Sequence, residues 1–194
     1  MKHLYMHRPH HKHSKNEYKV CNYQGDALYF IRGRWGRLED RVILYDLDKE
    51  EIYRATQVLL SILPKFELSY KGEFIGNVTK HIRFKKTYFT VSHLGWVIRG
   101  DFEKKEYYIS KFGKKIAYIQ KSIAYKGDYF FISFSDTKYE GLYCLLAILL
   151  DHYAPDYLNN NPLRLVKGDH NHSFLFYDSG SKKSLETKSK GSVL

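Results

Sequence analysis

The sequence contains little that would cross-link it or anchor it in a membrane. Only two of its 194 residues are cysteine, Cys21 and Cys144, which is too few for a disulfide framework. The longest uncharged apolar run, Leu142 to Leu150, is nine residues long, whereas a helix that spans a bilayer needs about 20. No apolar segment follows the basic N-terminus "MKHLYMHRPHHKH", so a secretory signal is not predicted. These features predict a cytoplasmic protein whose contact with a membrane, if any, is peripheral.

Motifs for catalysis and metal binding are also missing. The sequence has no P-loop, nucleophile elbow, HExxH or CxxC pattern. Seven histidines could in principle offer imidazole to a metal: His3, His7, His10, His11, His13, His170 and His172. The first five straddle a predicted hairpin turn, and we interpret all seven as solvated. The sequence therefore predicts a protein that is not an enzyme and that has no cofactor and no metal site.

The charge is strongly positive, with 32 Lys and Arg against 21 Asp and Glu and a formal net charge of +11. This excess is spread along the chain, without a long polybasic block. A basic surface attracts anionic partners, which leaves lipid, nucleic acid and acidic protein open. No RNP-type, helix-turn-helix or zinc motif supports nucleic-acid binding, so that hypothesis ranks last.

The chain contains an internal repeat. Three segments align without gaps: "IYRATQVLLSILPKFEL" from Ile52, "IGNVTKHIRFKKTYFTV" from Ile75 and "IAYIQKSIAYKGDYFFI" from Ile116. If the first residue of each copy is position 0, apolar residues recur at positions 3, 7, 14 and 16. Position 5 is polar in these three copies: Gln57, Lys80 and Lys121. A fourth copy starts at Leu28 and a faint fifth at Leu4.

Each copy is typical of one β-hairpin, because positions 14 and 16 alternate as in a strand and polar turn residues lie in the middle of the unit. The spacing of three between positions 0 and 3 breaks this alternation and predicts a β-bulge in each first strand. A shorter hairpin, 95–113, lies between two copies. Six hairpins make about twelve strands, whose free edges are costly unless the sheet closes. The sequence predicts a closed antiparallel barrel.

The segment "GLYCLLAILLDHY" (141–153) is hydrophobic on every side, which is typical of a buried helix. Thr137 and Glu140 are spaced as a capping box in front of it, and Pro155 follows its last residue. We therefore predict a helix over 138–153 that fills the barrel. The predicted fold class is all-β with one central helix.

Several motifs resemble the LURP-one-related family over about residues 2–153. These are the runs "LLSILPKFEL" and "HLGWVIRGDF" (93–102) and the repeated I-x-x-I-x-K units. The resemblance implies the tubby C-terminal fold, which is a twelve-stranded barrel around a central hydrophobic helix, with the phospholipid scramblases as relatives. It also implies binding to phosphoinositides or a membrane surface rather than catalysis. Residues 1–153 would form this domain, and 154–194 would be a basic, polar and largely flexible extension.

Clustered cations on corresponding strands and turns are the candidate site. An anionic leaflet attracts each such charge by roughly 1 kcal/mol. The residues predicted to bind lipid headgroups are Lys80, Arg83, Lys85, Lys86, Lys121 and Lys126. We expect a non-catalytic domain that recognises anionic phospholipid headgroups or docks at the inner membrane surface. The alternative is a protein-interaction or scaffold domain that acts through barrel loops and the C-terminal extension.

Overall fold

The computed structural model describes residues 1–9, 17–35, 39–84, 86–124 and 127–154. Within these ranges the chain forms twelve strands, a 3-10 helix and an α-helix. The elements are β1 (Lys2–Pro9), β2 (Glu17–Cys21), β3 (Ala27–Arg34), β4 (Arg41–Tyr45), β5 (Glu51–Gln57), β6 (Lys65–Tyr70), β7 (Glu73–Arg83), β8 (Lys86–Val91), β9 (Trp96–Asp101), β10 (Glu106–Lys111), β11 (Lys114–Ala124), β12 (Gly127–Phe134), the 3-10 helix (Thr137–Tyr139) and α1 (Glu140–Tyr153). The predicted extension, 154–194, lies outside the described residues except for Ala154.

The strands form a closed antiparallel barrel in sequence order, as predicted. Each strand pairs with its neighbours along the chain, and β1 closes the sheet against β12, from Lys2 opposite Phe134 to Pro9 opposite Gly127. Positions 14 and 16 of the repeat face inward and are buried, as at Phe66 and Leu68. Closure pairs the backbone groups that an open sheet would expose at its edges.

The predicted bulges are present in all four strong copies of the repeat. The register with the preceding strand shifts by one residue at each, so that the residue at position 0 has no partner on that strand. Leu44 lies opposite Tyr53, for example, while Tyr45 lies opposite Glu51, which leaves out Ile52. The four bulge residues are partly buried against the core: Leu28, Ile52, Ile75 and Ile116.

Helix α1 lies inside the barrel, and its residues from Gly141 to Leu150 are all buried. A Cβ atom on Gly141 would lie 3.1 Å from the ring of Tyr53, so a glycine allows the close approach of helix and wall. The prediction of the helix is confirmed, but the capping box is wrong. Tyr139 is the N-cap and makes no side-chain cap hydrogen bond. Glu140 instead accepts from the Lys2 Nζ atom at 2.6 Å and from the Tyr29 hydroxyl at 2.7 Å.

The antiparallel order gives the barrel two different ends. The six hairpins that join β1–β2, β3–β4, β5–β6, β7–β8, β9–β10 and β11–β12 turn at one end, where α1 also finishes at Tyr153. We call this end the mouth. The other connections turn at the opposite end, where the chain passes from β12 into α1, and we call it the base.

Candidate functional site

The four predicted cations that the structure describes do not form one surface. Arg83 and Lys86 lie opposite each other where β7 turns into β8, and both are exposed at the mouth. Lys85 and Lys126 lie outside the described residues. The remaining two, Lys80 and Lys121, lie inside the barrel.

Lys80 is only 2% exposed, and its Nζ atom donates a hydrogen bond to the backbone carbonyl of Tyr153 at 2.9 Å. It points inward because it lies two residues after the buried Val78 along β7 and therefore shares the inward face of the strand. The last carbonyls of a helix have no partner within the helix and carry partial negative charge, which a lysine offsets. The placement of Lys80 therefore supports a role at the end of α1 and does not support the predicted contact with a lipid headgroup.

Lys121 is held inside the mouth by two carboxylates. Its Nζ atom lies 2.7 Å from Oδ2 of Asp151, at the end of α1, and 3.2 Å from Oδ2 of Asp128 on β12. Asp128 also pairs with Arg8. Lys105 lies 3.6 Å from Oδ1 of Asp151. A buried charge in such a network is compensated by its partners, so Lys121 does not support the headgroup prediction either.

The repeat explains why these two lysines occupy equivalent places. Position 5 in the β5 copy is Gln57, whose side-chain oxygen accepts a hydrogen bond from the backbone N–H of Asp40 at 3.2 Å. Asp40 in turn accepts from the hydroxyl of Tyr153. We call Gln57, Lys80 and Lys121 the polar ring. It lies around the last turn of α1, whereas the sequence analysis predicted headgroup binding for its two lysines and no role for Gln57.

One step further along each first strand, position 7 forms an apolar lip. Ile82 and Ile123 share the inward-facing side of β7 and β11 with the polar ring, while Trp35 and Leu59 follow the ends of β3 and β5. Trp35 packs against the core, and the other members of the lip are Leu59, Ile82 and Ile123. The last three are exposed. The indole of Trp35 stacks on the imidazole of His152, with ring centroids 3.9 Å apart. Burial there lowers the pKa of His152, partly opposed by Asp40 and Asp151.

The hairpin tips beside the lip carry further exposed apolar side chains. Leu60 and Ile62, in the connection between β5 and β6, are fully exposed. Phe84, in the connection between β7 and β8, is 85% exposed. The two connections are neighbours, because the backbone N–H of Lys80 donates to the carbonyl of Pro64 at 2.9 Å. Sequence reasoning found these residues as part of the repeat but did not identify them as a surface.

The histidines singled out in the sequence do not form a metal site among the described residues. His3 stacks on Phe131 and His7 on Tyr129, while His10, His11 and His13 lie outside the described residues, as do His170 and His172. Among the described residues, no group of three or more His, Cys, Asp or Glu side chains is placed to hold a metal ion.

In the part of the chain that the structure describes, no helix is long and apolar enough to cross a membrane.

An open groove on the outer face of β4, β5 and β6 is lined by two guanidinium groups and three carboxylates. Arg41 pairs with Glu39 and Arg54 with Glu51. Glu67 adds a third negative charge to the lining. Because the cations are already paired and the acids outnumber them, this groove is a poor receptor for an anionic headgroup.

Comparisons with known proteins agree with the fold. The chain is 28% identical over 96 residues to the uncharacterized protein YxjI of Bacillus subtilis (strain 168), which is 50% of this chain and 59% of the relative's length. A crystal structure of an Arabidopsis thaliana protein, AT5G01750, is similar with a TM-score of 0.53 at 13% identity, over 78% of this chain and 91% of that one. A sequence model of the LURP-one-related family matches residues 2–151. The chain belongs to the LURP-one-related family.

Proposed function

We propose that this barrel is a non-catalytic docking domain for anionic membrane surfaces and that the mouth is the face that meets the lipid. The observation that carries the proposal is the clustering of exposed apolar side chains with exposed cations on two neighbouring hairpins at this end. Ile82 and Phe84 alternate with Arg83 along the chain, and Lys86 lies opposite Arg83. Such a mixture suits the boundary between lipid headgroups and acyl chains.

The charges around the lip favour an anionic partner. Arg34, at the end of β3, is exposed as well as Arg83 and Lys86. The segments 58–64 ("VLLSILP") and 82–86 ("IRFKK") contain no carboxylate. An anionic leaflet favours each cation near its surface by about 1 kcal/mol, and salt screens this attraction over about a Debye length.

A common structural reason for lysines on a β-sheet surface does not apply here. Exposed cations often protect the free edge of a sheet from pairing with another chain. In this barrel β1 pairs with β12, so the described strands leave no such edge. The three exposed members of the lip, Leu59, Ile82 and Ile123, also lack a structural reason, since they lie beyond the core. Both features are accounted for if the mouth rests on a membrane.

Vesicle co-sedimentation tests the proposal. The full chain would be mixed with vesicles of phosphatidylcholine alone, with added phosphatidylserine, or with an added phosphoinositide, at low and near-physiological salt. We expect binding to the anionic vesicles, and we expect the double variant Arg83→Gln/Lys86→Gln to bind about tenfold more weakly. The matched control is Lys49→Gln/Lys114→Gln, which removes two exposed lysines at the base.

Three results would decide the matter. No binding of the unaltered chain to anionic vesicles at low salt would refute the proposal. Equal losses in the two double variants would mean that net charge alone attracts the protein, without a docking face. A loss confined to the mouth variant, with a preference for one headgroup at near-physiological salt, would support docking through a defined face.

A further inference from the structure

We infer that Leu60 and Phe84 are penetrating tips, which insert into the acyl-chain boundary when the mouth meets a membrane. This inference rests on the proposed function and adds to it. Electrostatic docking alone would need only the cations around the lip, whereas penetration would make binding depend on two specific apolar side chains.

The backbone at both tips is in a conformation that disfavours the residue found there. Leu60 has a φ of +63° and Phe84 a φ of +49°, in the left-handed region. Glycine and asparagine adopt this region readily, but a bulky side chain crowds the backbone. Residues held in such conformations cluster at functional sites, where the strain persists for a purpose outside local stability.

Packing does not account for the two side chains either. Leu60 is fully exposed and Phe84 is 85% exposed, so neither gains the burial that would offset its backbone conformation. Of the seven described non-glycine residues with positive φ, four are lysine or histidine, for which a solvated turn is unremarkable: Lys49, Lys71, His93 and Lys105. The other three, Leu60, Phe84 and Phe112, present a hydrophobic side chain to solvent. For the two that lie on neighbouring hairpins at the mouth, Leu60 and Phe84, an apolar partner supplies the explanation.

The surroundings of the two tips identify that partner as lipid. They lie on neighbouring hairpins, and the guanidinium carbon of Arg83 lies 5.3 Å from the centre of the Phe84 ring. An amphipathic element at a membrane buries its apolar side chains about 5–10 Å deep while its cations stay among the headgroups. On this one turn, Phe84 provides the apolar side chain that would be buried, and Arg83 provides the cation that would stay among the headgroups.

Phe112 provides an internal control for this argument. It has the same φ, +49°, and is 92% exposed, but it turns at the base. The turn at Phe112 is itself basic, since the Nζ atom of Lys111 lies 5.8 Å from the centre of the Phe112 ring. Other connections at the base carry exposed carboxylates, which an anionic membrane repels: Asp26, Asp48, Glu50, Glu73 and Asp136. Backbone conformation, exposure and an adjacent cation are therefore matched between Phe84 and Phe112, and what differs is the end of the barrel and the second exposed apolar tip, Leu60, on the hairpin beside Phe84.

Asparagine substitutions test the inference, because asparagine tolerates the left-handed region. In the full chain, Leu60→Asn/Phe84→Asn should fold with unchanged or higher thermal stability. Its affinity for phosphatidylserine-containing vesicles should fall about tenfold or more, since burial of an apolar side chain contributes substantially to binding. Phe112→Asn should bind as the unaltered chain does.

A tryptophan at position 84 or at position 112 gives a second readout that does not depend on affinity. Phe84→Trp should show a blue-shifted emission with the vesicles and should be quenched by brominated acyl chains, after subtraction of the signal from Trp35 and Trp96. Phe112→Trp should show neither change.

The outcomes separate penetration from electrostatic docking. If the unaltered chain binds anionic vesicles while the asparagine double variant binds equally well, penetration is refuted and electrostatic docking stands. The same conclusion follows if the two tryptophan variants respond alike. If the unaltered chain does not bind these vesicles, both proposals fail.

Discussion

The ammonium group of Lys80 donates a hydrogen bond to the backbone carbonyl of Tyr153, 2.9 Å away, and so joins the barrel wall to the end of the helix within it. The lysine belongs to the repeated strand pattern, and the carbonyl is one of those that a helix leaves unsatisfied at its C-terminus. This contact gives Lys80, which lies in one of the most basic segments of the sequence, a structural role.

Lys80→Met should destabilise the fold without weakening vesicle binding. Methionine retains much of the length and volume of lysine but cannot donate a hydrogen bond, so the carbonyl of Tyr153 loses a buried partner. Leaving such a group unsatisfied costs about 1–3 kcal/mol in the free energy of unfolding. Denaturant titration would measure this loss. Lys86→Met, at an exposed site, should change stability by less than about 0.5 kcal/mol. A Lys80→Met variant that is fully stable but defective in vesicle binding would restore the headgroup role of Lys80.

The pKa of His152 predicts a dependence of stability on pH. Burial, which includes the stack on Trp35, lowers this pKa below that of an unfolded histidine, and the smaller effects of Asp40 and Asp151 raise it. The unfolded chain therefore binds a proton at His152 before the folded chain does. Stability should fall as the pH drops below about 6.5 and level off below the folded pKa.

Thermal unfolding between about pH 7 and pH 4.5 would measure this effect in His152→Gln and in a control, His93→Asn. His93 is exposed and has a positive φ, which asparagine tolerates. The slope of stability against pH near 6 should be shallower in His152→Gln and unchanged in the control. Identical slopes in the two variants would show that His152 does not govern stability in this range.

Buried tyrosines predict a loss of stability at alkaline pH. Burial raises the pKa of Tyr18 to about 12 and, together with nearby Tyr70, Tyr139 and Glu140, that of Tyr53 to about 12. An unfolded tyrosine ionises near pH 10, so unfolding releases protons above that pH. Stability that is fully present below about pH 10 should decline as the pH rises towards these folded values.

Phenolate absorbance and circular dichroism, followed together from about pH 9 to pH 12, would test this prediction. Tyr53→Phe should reduce the steepness of the decline, whereas Tyr23→Phe, at an exposed position, should not. Ionisation of all tyrosines near pH 10 in a protein that remains folded would contradict it.

The bulges predict an unusual tolerance to deletion. Leu68 lies opposite Gly76 and Ser69 opposite Phe74, so removal of Ile75 would leave the β6–β7 ladder continuous. We expect a loss of about 1–3 kcal/mol, from the packing of one partly buried side chain. Deletion of Thr79, which is not a bulge residue, would turn one part of β7 inside out and should prevent folding. Thermal melts would compare the two deletions. Equal damage from both would show that the bulge is needed for closure.

Much of this fold could be predicted from local patterns. Alternation at positions 14 and 16 identifies the second strand of each hairpin, and the spacing between positions 0 and 3 locates the bulges at residues such as Ile52 and Ile75. The helix could be recognised because it is apolar on every side and can be stable only inside protein. The capping box was wrong because the motif competes with tertiary partners. Glu140 pairs with Lys2 and Tyr29 from two distant strands.

The candidate site was harder to predict. A lysine on a strand points either inward or outward, and the spacing of two residues from Val78 places Lys80 on the inward face. Whether the inside is apolar core or the end of a helix depends on how far α1 extends into the barrel. Likewise, the pattern of the repeat marks Ile82 as apolar but does not place it beyond the core. Both questions concern distance along the barrel axis, which the sequence does not encode locally.

The sequence by itself determined the strands, their order, the bulges, the closure of the sheet and the helix at its centre. The physical reason is that periodic burial and the need to pair backbone groups act through residues close in the chain. Only the tertiary structure decided which cations are exposed and which apolar residues meet. Lys121, Asp128 and Asp151 come together, and the tips at Leu60 and Phe84 become neighbours, because a closed barrel brings all six hairpins to one end around the last turn of the helix.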